Sequence, residues 1–600
     1  MKKALSCLRV AMVLGTLFAT LGFGQALGEK QTPELSGADV ESVSFFSVVE
    51  CGNTYVIVSF YDNLEDTKID VNHVAKSSFF PGPGLSLDIH GDWKEAVGSF
   101  LEALGQKIVP LDIAYGNELW DFYTTGERGK LDELEAQQIA LYSDKETFET
   151  LKALRCLKQL DDEPLLKWRV ERQYRDFLEY QGEKDFLEAL KKLENDTHAI
   201  LIEHRAVLDG EEKTNEQLRD VLRYSADRAE RERAWRALYA VGEKMADGVR
   251  SLVRMRNEHA RSLGYRSFYE MKFELNDLDV EEIEKLLKRL DRLSRKPYRE
   301  YLEERKAALG VERLEPWDMS YDPERVEEEM KEFFPKAALE ARIKDSYQKM
   351  GFDIDALGVV CDLEPRPNKS QHAYSFAIDP PVDVRILANL NDGFLTARTL
   401  FHEFGHAVYS KHVPAEPWDM RDDAGGPMTE GMGQFFGRVV EDERWLRDVA
   451  GAPAELVSRF GAHARKKNLY RLRFTLALLR FERAMFESPS RDLNKLWWDL
   501  VEKTVGVARR DEVFPWGGIV HFTTHPVYLQ NYLLADMICD SLWEHVEENA
   551  GGVVGSARLA SYLDETFFRH GAAKPWRKLY RKALGKKLGA DAYIRYRLGK

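Results

Sequence analysis

Apolar residues recur every three or four positions over long stretches of the chain, which is the spacing of an amphipathic α-helix. In residues 280–309 this spacing falls on Ile283, Leu286, Leu287 and Leu290. No strict heptad persists, and Gly and Pro separate the stretches, so they predict packed helices and not a coiled coil. The stretches are rich in Glu, Lys, Leu and Arg and comprise residues 129–160, 164–194, 215–263, 280–309 and 324–350.

Three short segments have the β-branched and aromatic composition of strands. Residues 54–61 lie near the N-terminus, whereas residues 358–363 and 383–388 lie between the long helical stretches and the C-terminal helices. We therefore predict a mainly α protein with one small β-sheet. It has a small appendage with some β structure over residues 27–92 and a helical domain over residues 93–600.

Residues 1–26 have the three-part plan of a secretory signal peptide. Lys2 and Lys3 give a positive start, residues 10–23 are almost wholly apolar, and residues 24–26 offer small side chains around a cleavage point. The apolar run is short for a membrane span, and no later apolar run is long enough for one. We expect a secreted or periplasmic protein with no stable membrane insertion after cleavage, and an uncleaved anchor is the alternative.

The composition excludes some classes of partner. Hydrophobic residues make up 44% of the chain, enough for a sizeable core, and the net charge is −15. Because an acidic chain repels phosphate backbones, we expect no nucleic-acid partner. Four cysteines remain after the signal peptide, and their wide spacing leaves both free thiols and disulfides open. They are Cys51, Cys156, Cys361 and Cys539.

The strongest chemical signal is the segment His402-Glu403-Phe404-Gly405-His406. On a helix, two histidines four residues apart point to the same side and can hold one zinc ion. Glu403 then lies beside the metal, where it can accept a proton from the attacking water. The sequence therefore predicts one Zn2+ per chain and a metal-dependent hydrolase.

A catalytic zinc site needs a third protein ligand, and two residues compete for this position. His412 follows His402 by ten positions, as in the metzincins, but the chain lacks the glycine that this arrangement requires seven positions after the first histidine. Glu430 follows His402 by twenty-eight positions and lies among glycines and apolar side chains. Because a buried lone carboxylate needs a partner, we favour Glu430 over His412.

Two further segments have the features of active-site parts. Residues 370–376 form a short extended segment, in which His372 precedes His402 by thirty positions, and such a segment can bind a peptide substrate as an added strand. In residues 521–532, two histidines and two tyrosines gather at a helix start, where they can donate hydrogen bonds to an oxyanion. Each pattern by itself is more typical of a packed core. We assign both segments to the active site because the metal motif is also present.

The segments HAYSF, FLTARTLFHEFGH, TEGMGQ and VHFTTHPVYLQNY together resemble those of the angiotensin-converting-enzyme-like peptidyl-dipeptidases. The resemblance covers about residues 95–600 and includes the intervals of thirty positions before His402 and twenty-eight positions after it. It implies a two-lobed helical ellipsoid with a deep central cleft, N-terminal helices over the cleft, and the small β-sheet near the zinc helix.

The resemblance also assigns roles to residues of this chain by their position. It implies that His402, His406 and Glu430 bind zinc and that Glu403 is the general base. His521 corresponds to an oxyanion and substrate histidine, and Tyr532, with one residue inserted, corresponds to the oxyanion tyrosine. The residues expected to contact the substrate are His372, Ala373, His525 and Tyr528.

The chain departs from this family at several positions. Ile519 replaces the lysine that grips the substrate's C-terminal carboxylate, Asn531 replaces a chloride-binding arginine, and Gln434 replaces an aspartate behind the metal. Three patterns, HEFGH, Lys369-x-x-x-Ala373-Tyr374-Ser375 and HF-x-x-x-P-x-Y, also resemble those of oligoendopeptidase F and thimet oligopeptidase. We predict a zinc metallopeptidase of short peptides that releases C-terminal dipeptides. The alternatives are an endo-acting oligopeptidase and a non-catalytic peptide-binding homologue.

Overall fold

The structure is a computed structural model of the chain, and it describes residues 43–51, 54–61, 68–74, 84–90, 92–370 and 372–599. The predicted signal peptide, residues 1–26, lies outside this part of the chain. No helix in the described ranges is both long and apolar enough to cross a lipid bilayer.

Helices dominate the described residues, which confirms the expected mainly α class. The α-helices are α1 (Trp93–Thr125), α2 (Leu131–Tyr142), α3 (Lys145–Leu154), α4 (Pro164–Leu178), α5 (Lys184–Glu203), α6 (Asn215–Tyr224), α7 (Arg228–Tyr239), α8 (Val241–Ser262), α9 (Phe268–Leu275), α10 (Val280–Leu309), α11 (Val326–Lys331), α12 (Lys336–Lys349), α13 (Phe394–His412), α14 (Gly426–Gly437), α15 (Glu443–Asp448), α16 (Ala454–Glu487), α17 (Leu493–Val505), α18 (Val520–Thr524), α19 (Gln530–Asn549), α20 (Arg558–Thr566), α21 (Trp576–Leu584) and α22 (Asp591–Leu598). The strands are β1 (Val43–Cys51), β2 (Thr54–Tyr61), β3 (Ile69–Val74), β4 (Gly84–His90), β5 (Ala206–Leu208), β6 (Glu211–Lys213), β7 (Val360–Asp362), β8 (Tyr374–Asp379) and β9 (Asp383–Leu387).

The first of two compact units comprises the described residues up to Lys107 together with Asp144–Glu179. Its sheet has the strand order β1-β2-β4-β3, in which β2 and β4 are parallel and the two outer pairs are antiparallel. Helix α3 packs against β3 and β4. Alternate residues of the two central strands are buried, as the pleat of a strand requires, and these include Val56, Val58, Leu87 and Ile89.

The second unit comprises Ile108–Ser143 and the described residues from Tyr180 onwards, and it contains every candidate site residue. Its core is built from helix faces around large aromatic side chains, of which Trp445, Trp498 and Tyr347 are fully buried. The expected two-lobed shape with a deep cleft stays a prediction.

Helix α10 illustrates how local sequence sets the boundaries of a helix. At its start, the Asp279 carboxylate accepts a hydrogen bond of 2.8 Å from the Glu282 N–H, and at its end Gly310 takes a left-handed φ of 65°. Both are favourable caps for a helix. Ile283, Leu287 and Leu290 are buried on its core face. The predicted range of residues 280–309 is therefore confirmed.

The small sheet of the helical unit lies beside α13. Its central strand, β9, pairs in parallel with β7 and antiparallel with β8. Strand β8 begins two positions after His372 and is an edge strand of this sheet. Both β8 and β9 contact α13. The sheet therefore brings the expected substrate segment next to the helix that carries the metal motif.

Candidate active site

Helices α13 and α14 approach each other closely because glycines line their contact. A Cβ atom on Gly433 would lie 2.6 Å from both His402 Cε1 and His406 Nε2. A Cβ atom on Gly405 would lie 2.8 Å from Cδ2 of Phe436. A larger residue at either position would therefore require the facing side chains or the helices themselves to move. This close approach brings α14 directly against the two histidines.

Three potential metal ligands meet where these helices cross. The Nε2 atoms of His402 and His406 are 3.0 Å apart, and Glu430 Oε2 lies 3.7 Å from His402 Nε2. One ligand atom from each residue lies within 4.8 Å of the others. Tetrahedral zinc with bonds of about 2.0–2.1 Å places its ligand atoms about 3.4 Å apart. The three side chains therefore fit a zinc ion.

Burial of this cluster keeps the two histidines in the neutral form that a metal needs. Burial holds the pKa of His402 well below its usual value, with smaller contributions from His406 and Arg398, and lowers the pKa of His406 to about 4. Both rings are therefore neutral at pH 7 and can offer a lone pair. Burial also raises the pKa of Glu430, against a hydrogen bond that Tyr528 donates from its hydroxyl to Oε1 over 3.2 Å.

Glu403 lies on the same helix and is 7% exposed. Burial and then the nearby Glu430 carboxylate raise the pKa of Glu403 to about 8. The backbone N–H of Ser375, in β8, opposes this rise by donating a hydrogen bond to the carboxylate. A carboxylate held between the metal cluster and the substrate strand is in a suitable place to exchange a proton with bound water.

The segment of residues 521–532 supplies polar groups near the cluster. His521 Nε2 and the Tyr532 hydroxyl are 3.3 Å apart. Burial, followed by the charges of His525 and His372, lowers the pKa of His521 to about 4. Burial, followed by Glu430 and Glu403, raises the pKa of Tyr532 to about 12. The ring is therefore neutral and the phenol protonated at pH 7.

The other residues expected to contact the substrate differ in their burial and in their partners. His525 accepts or donates a hydrogen bond of 2.7 Å between its Nδ1 and Thr524 Oγ1, and its ring centre is 6.2 Å from that of His521. His372 is exposed, and Ala373, half-buried, packs against the core just before β8. Their roles in substrate binding stay predictions, as does that of Tyr528, whose hydroxyl is engaged by Glu430.

His412, the alternative third ligand, lies apart from the cluster. Its Nδ1 is 2.7 Å from the Val408 carbonyl oxygen, and its ring packs against Phe352 and Phe568. It does not belong to the group of metal-ligating side chains among the described residues. The structure therefore places Glu430, and not His412, beside the two histidines.

The sequence did not predict a hydrogen-bond network around Arg398, which lies near His402 on α13. Arg398 Nε donates a hydrogen bond of 2.7 Å to Glu441 Oε1, and the same guanidinium donates to Gln434 Oε1. Arg398 lies one helical turn before His402, and the i, i+4 spacing on α13 is the signal that could have linked them. The network joins α13 to α14 through Gln434, at the position where the resembling family has an aspartate.

Lys369, which the sequence singled out only as part of a family pattern, is buried and holds the chain just before His372. Its Nζ donates to the carbonyl oxygens of Asp362, Glu364 and Ala388 over 2.7–3.0 Å and to the Asp362 carboxylate over 2.9 Å. A buried lysine shared among so many acceptors fixes this loop. Its position four residues before Ala373 was visible in the sequence, but its acceptors were not.

A cavity of about 560 Å3 also opens in the second unit, away from the metal cluster. Its wall includes the aromatic side chains of Trp235, Tyr239 and Tyr470, and none of the candidate metal or catalytic residues lines it. We locate the active site by its chemistry, because water activation needs the metal ligands and the base together.

The two histidines on one helix, the glutamate between them and the carboxylate from the next helix define a zinc metallopeptidase. Residues 221–351 match the family model described as Peptidase family M3. The chain is accordingly a zinc-dependent hydrolase that acts on peptides. The matched residues precede the metal motif, so the match and the site geometry are separate observations. No curated protein matches the chain.

Proposed function

We propose that the protein is an oligopeptidase that cleaves short peptides aligned along β8. The observation that carries this proposal is the cluster of His402, His406 and Glu430 with Glu403 buried beside it. We assign the first three as zinc ligands. Zinc, when bound, polarises the scissile carbonyl and acidifies the attacking water.

The other residues then act on protons and on developing charge. Glu403 accepts a proton from the attacking water and passes it to the leaving amine. Tyr532 donates its hydroxyl hydrogen to the oxyanion, which its high pKa permits because the phenol stays protonated at neutral pH. His521 Nε2 lies 3.3 Å from that hydroxyl, so His521 either orients the Tyr532 hydroxyl or itself donates a hydrogen bond to the oxyanion. Tyr528 orients the Glu430 carboxylate through their hydrogen bond.

Recognition of the substrate through its backbone supports cleavage that does not depend on the peptide's C-terminal carboxylate. Strand β8 is an edge strand, and its Ser375 N–H reaches the general base, so a peptide added at this edge would lie near the metal. Ile519 carries no charge, and the Tyr528 hydroxyl is engaged by Glu430. Neither residue favours a dedicated site for a C-terminal carboxylate.

Release of C-terminal dipeptides is the second candidate. The intervals of thirty positions from His372 to His402 and twenty-eight positions from His402 to Glu430 favour it, because they match the peptidyl-dipeptidase pattern. In this case Tyr528 would turn to the substrate carboxylate when a peptide binds.

C-terminal amidation separates these two candidates. An oligopeptidase should cleave free and amidated forms of one peptide at rates within about threefold, because it gains nothing from the terminal charge. A carboxydipeptidase should lose about 1.5–3 kcal/mol of binding with the amide, the contribution of a hydrogen bond to a charged group. Mass spectrometry of the products measures both the rate and the cleaved bond. Dipeptides released only from free acids would refute the oligopeptidase proposal.

Metal-site variants test the zinc mechanism itself. His406→Ala should lose zinc and activity together, because two ligands hold zinc weakly. Glu403→Gln should retain zinc and lose activity. His412→Ala, on the same helix, is the matched control and should keep near-normal zinc content, measured by atomic absorption. If His412→Ala loses the metal while Glu430→Ala retains it, our choice of the third ligand is wrong.

We also propose that the protein is exported. The sequence of residues 1–26 supports this, and so does the disulfide bond of Cys156, since disulfides persist in oxidising compartments. Cys361 and Cys539 are free thiols. N-terminal sequencing of the protein from the native host should begin near residue 27. A mature protein that begins at Met1 and stays in the cytoplasmic fraction would contradict export.

A further inference from the structure

The segment that carries His521, His525, Tyr528 and Tyr532 has little regular structure of its own. It consists of the five-residue helix α18, an irregular stretch over residues 525–529, and the first turn of α19. A single short helical turn is only marginally stable by itself. The positions of its polar side chains at the metal cluster therefore depend on contacts made by the rest of the fold.

Arg256 holds the end of α18 from behind. This side chain, on α8, is 2% exposed, and its Nη1 donates a hydrogen bond of 2.8 Å to the carbonyl oxygen of Phe522. Its Nη2 donates to the carbonyl oxygen of Thr523. The last carbonyls of a helix lack partners within the helix, so the guanidinium satisfies groups that would otherwise be buried and unpaired. Both carbonyls directly follow His521 in the chain.

Glu194 neutralises this arginine from a third helix. Its Oε2 lies 2.7 Å from Arg256 Nη2, and Glu194 belongs to α5. Burying the Arg256 charge without a carboxylate partner would be destabilising, so Arg256 depends on Glu194 to stay buried. The pair thus connects α5 and α8 to the backbone next to His521.

Glu482 holds the other end of the segment. This residue of α16 is fully buried, and its Oε1 accepts a hydrogen bond of 2.7 Å from the N–H of Val527. Val527 has a φ of 60°, which is unusual for a β-branched residue and must be stabilised by its surroundings. Gln530 Nε2 donates to the Val527 carbonyl oxygen over 2.7 Å. Both sides of this strained residue are therefore held, immediately before Tyr528.

We propose that Arg256 and Glu482 are positioning residues that hold His521, Tyr528 and Tyr532 at the metal cluster through the backbone of residues 522–527. Neither residue belongs to the proposed set of metal ligands and catalytic groups. Each binds main-chain atoms within a few residues of a catalytic tyrosine or histidine. The inference rests on the proposed peptidase function.

The first experiment compares variants by their kinetic constants. Arg256→Lys keeps a positive charge beside Glu194 but replaces the fork of donors, so it cannot satisfy both carbonyls in the same geometry. Glu482→Leu removes the acceptor for Val527, whereas Glu482→Gln retains one. We expect kcat to fall about 10–100-fold in Arg256→Lys and Glu482→Leu, since small misplacements of catalytic groups cost about this much. KM and zinc content should stay within about threefold, and Glu482→Gln should recover kcat to within about threefold of wild type.

Arg473 offers a matched control. It is 5% exposed on α16, it pairs with Asp291, and its Nε donates a hydrogen bond of 2.9 Å to the carbonyl oxygen of Thr504 at the end of α17. Arg473→Lys therefore disturbs a buried arginine that caps the end of α17, a helix that contains no candidate site residue. It should lower the melting temperature and leave kcat unchanged.

Hydrogen–deuterium exchange provides a readout that does not depend on activity. In Arg256→Lys and Glu482→Leu, the amides of residues 520–532 should exchange at least tenfold faster, while those of α13 and α14 should not change. Arg473→Lys should leave residues 520–532 as in wild type. A wild type without zinc-dependent peptidase activity would refute the proposed function, and exchange would still test positioning. Unchanged exchange in residues 520–532, or kcat within threefold of wild type in both variants, would overturn the proposal.

Discussion

The protonation state of Glu403 depends on whether a metal ion is bound. Without a metal, burial and the Glu430 carboxylate raise the pKa of Glu403 to about 8, so it is mostly protonated at pH 7. A bound divalent cation favours the ionised form of a nearby carboxyl. A general base that is neutral without metal and charged with metal becomes active only when the site is complete.

This arrangement predicts proton release when zinc binds at pH 7. The wild type should release nearly one proton more than Glu403→Gln, because the amide has no proton to lose in this range. Calorimetric titration with zinc in buffers of different ionisation enthalpy measures the number released. Glu455→Gln, a change at an exposed glutamate of α16, should match the wild type. Equal release from wild type and Glu403→Gln would show that the base is already ionised without metal.

At the scale of elements, the crossing of α13 and α14 determines the metal site. The sequence predicted the histidine pair from spacing within one helix, and it favoured Glu430 from its lone position. It did not predict that Gly433 must be a glycine, because the side chains it would meet come from another helix. A glycine in a helix weakens the helix by itself, so its presence here is explained by the close contact.

We predict that Gly433→Ala disrupts this crossing. A Cβ atom 2.6 Å from both histidines cannot be accommodated without moving a ring or a helix, so zinc affinity should fall at least tenfold. Overpacking of this kind costs about 1–3 kcal/mol of stability. Competition with a chromogenic chelator measures the affinity, and thermal unfolding measures the stability. Gly461→Ala is the control, since its nearest atom would be 3.7 Å away. A Gly433→Ala variant with wild-type zinc affinity would contradict the packing argument.

Local patterns predicted some elements better than others for a physical reason. Residues 280–309 form one helix because Asp279 and Gly310 cap an uninterrupted periodic stretch. The predicted stretches over residues 129–160 and 215–263 are instead divided into several helices. Asp144 and Asp227 lie inside these stretches and cap new helix starts by accepting hydrogen bonds from Thr147 and Ala229 N–H groups. Apolar periodicity continues across such breaks, so periodicity alone does not reveal them.

At the scale of the whole molecule, Glu482 is a buried acid that influences stability. Burial raises its pKa to about 7, although the Val527 N–H and the Arg256 charge oppose this rise. Tyr269 also lies within its electrostatic reach. The usual pKa of a glutamate is 4.5, so the folded protein binds this proton more tightly than the unfolded chain. Ionising Glu482 therefore lowers stability as the pH rises from about 4.5 through about 7.

We predict that Glu482→Gln removes this pH dependence. Relative to wild type, its melting temperature should rise progressively between pH 5 and pH 8, because only the wild type must ionise a buried group. The full effect corresponds to about 3 kcal/mol at most, which is the free energy equivalent of the pKa change. Thermal unfolding of both proteins across this pH range measures it, and other titrating groups cancel in the difference. A difference that is constant with pH would mean that Glu482 is ionised at a normal pKa.

The sequence by itself determined the features that depend on neighbouring residues in the chain. These include the helical class, the capped boundaries of α10 and the metal pair His402 and His406, because spacing along one helix fixes which side chains share a face. Only the tertiary structure decided which distant groups meet at the site. Glu430 reaches the histidines because two helices cross at glycines, and Arg256 reaches residues more than 260 positions later because α8 packs beside α18. Contacts of this kind depend on how whole helices pack, which local sequence patterns do not encode.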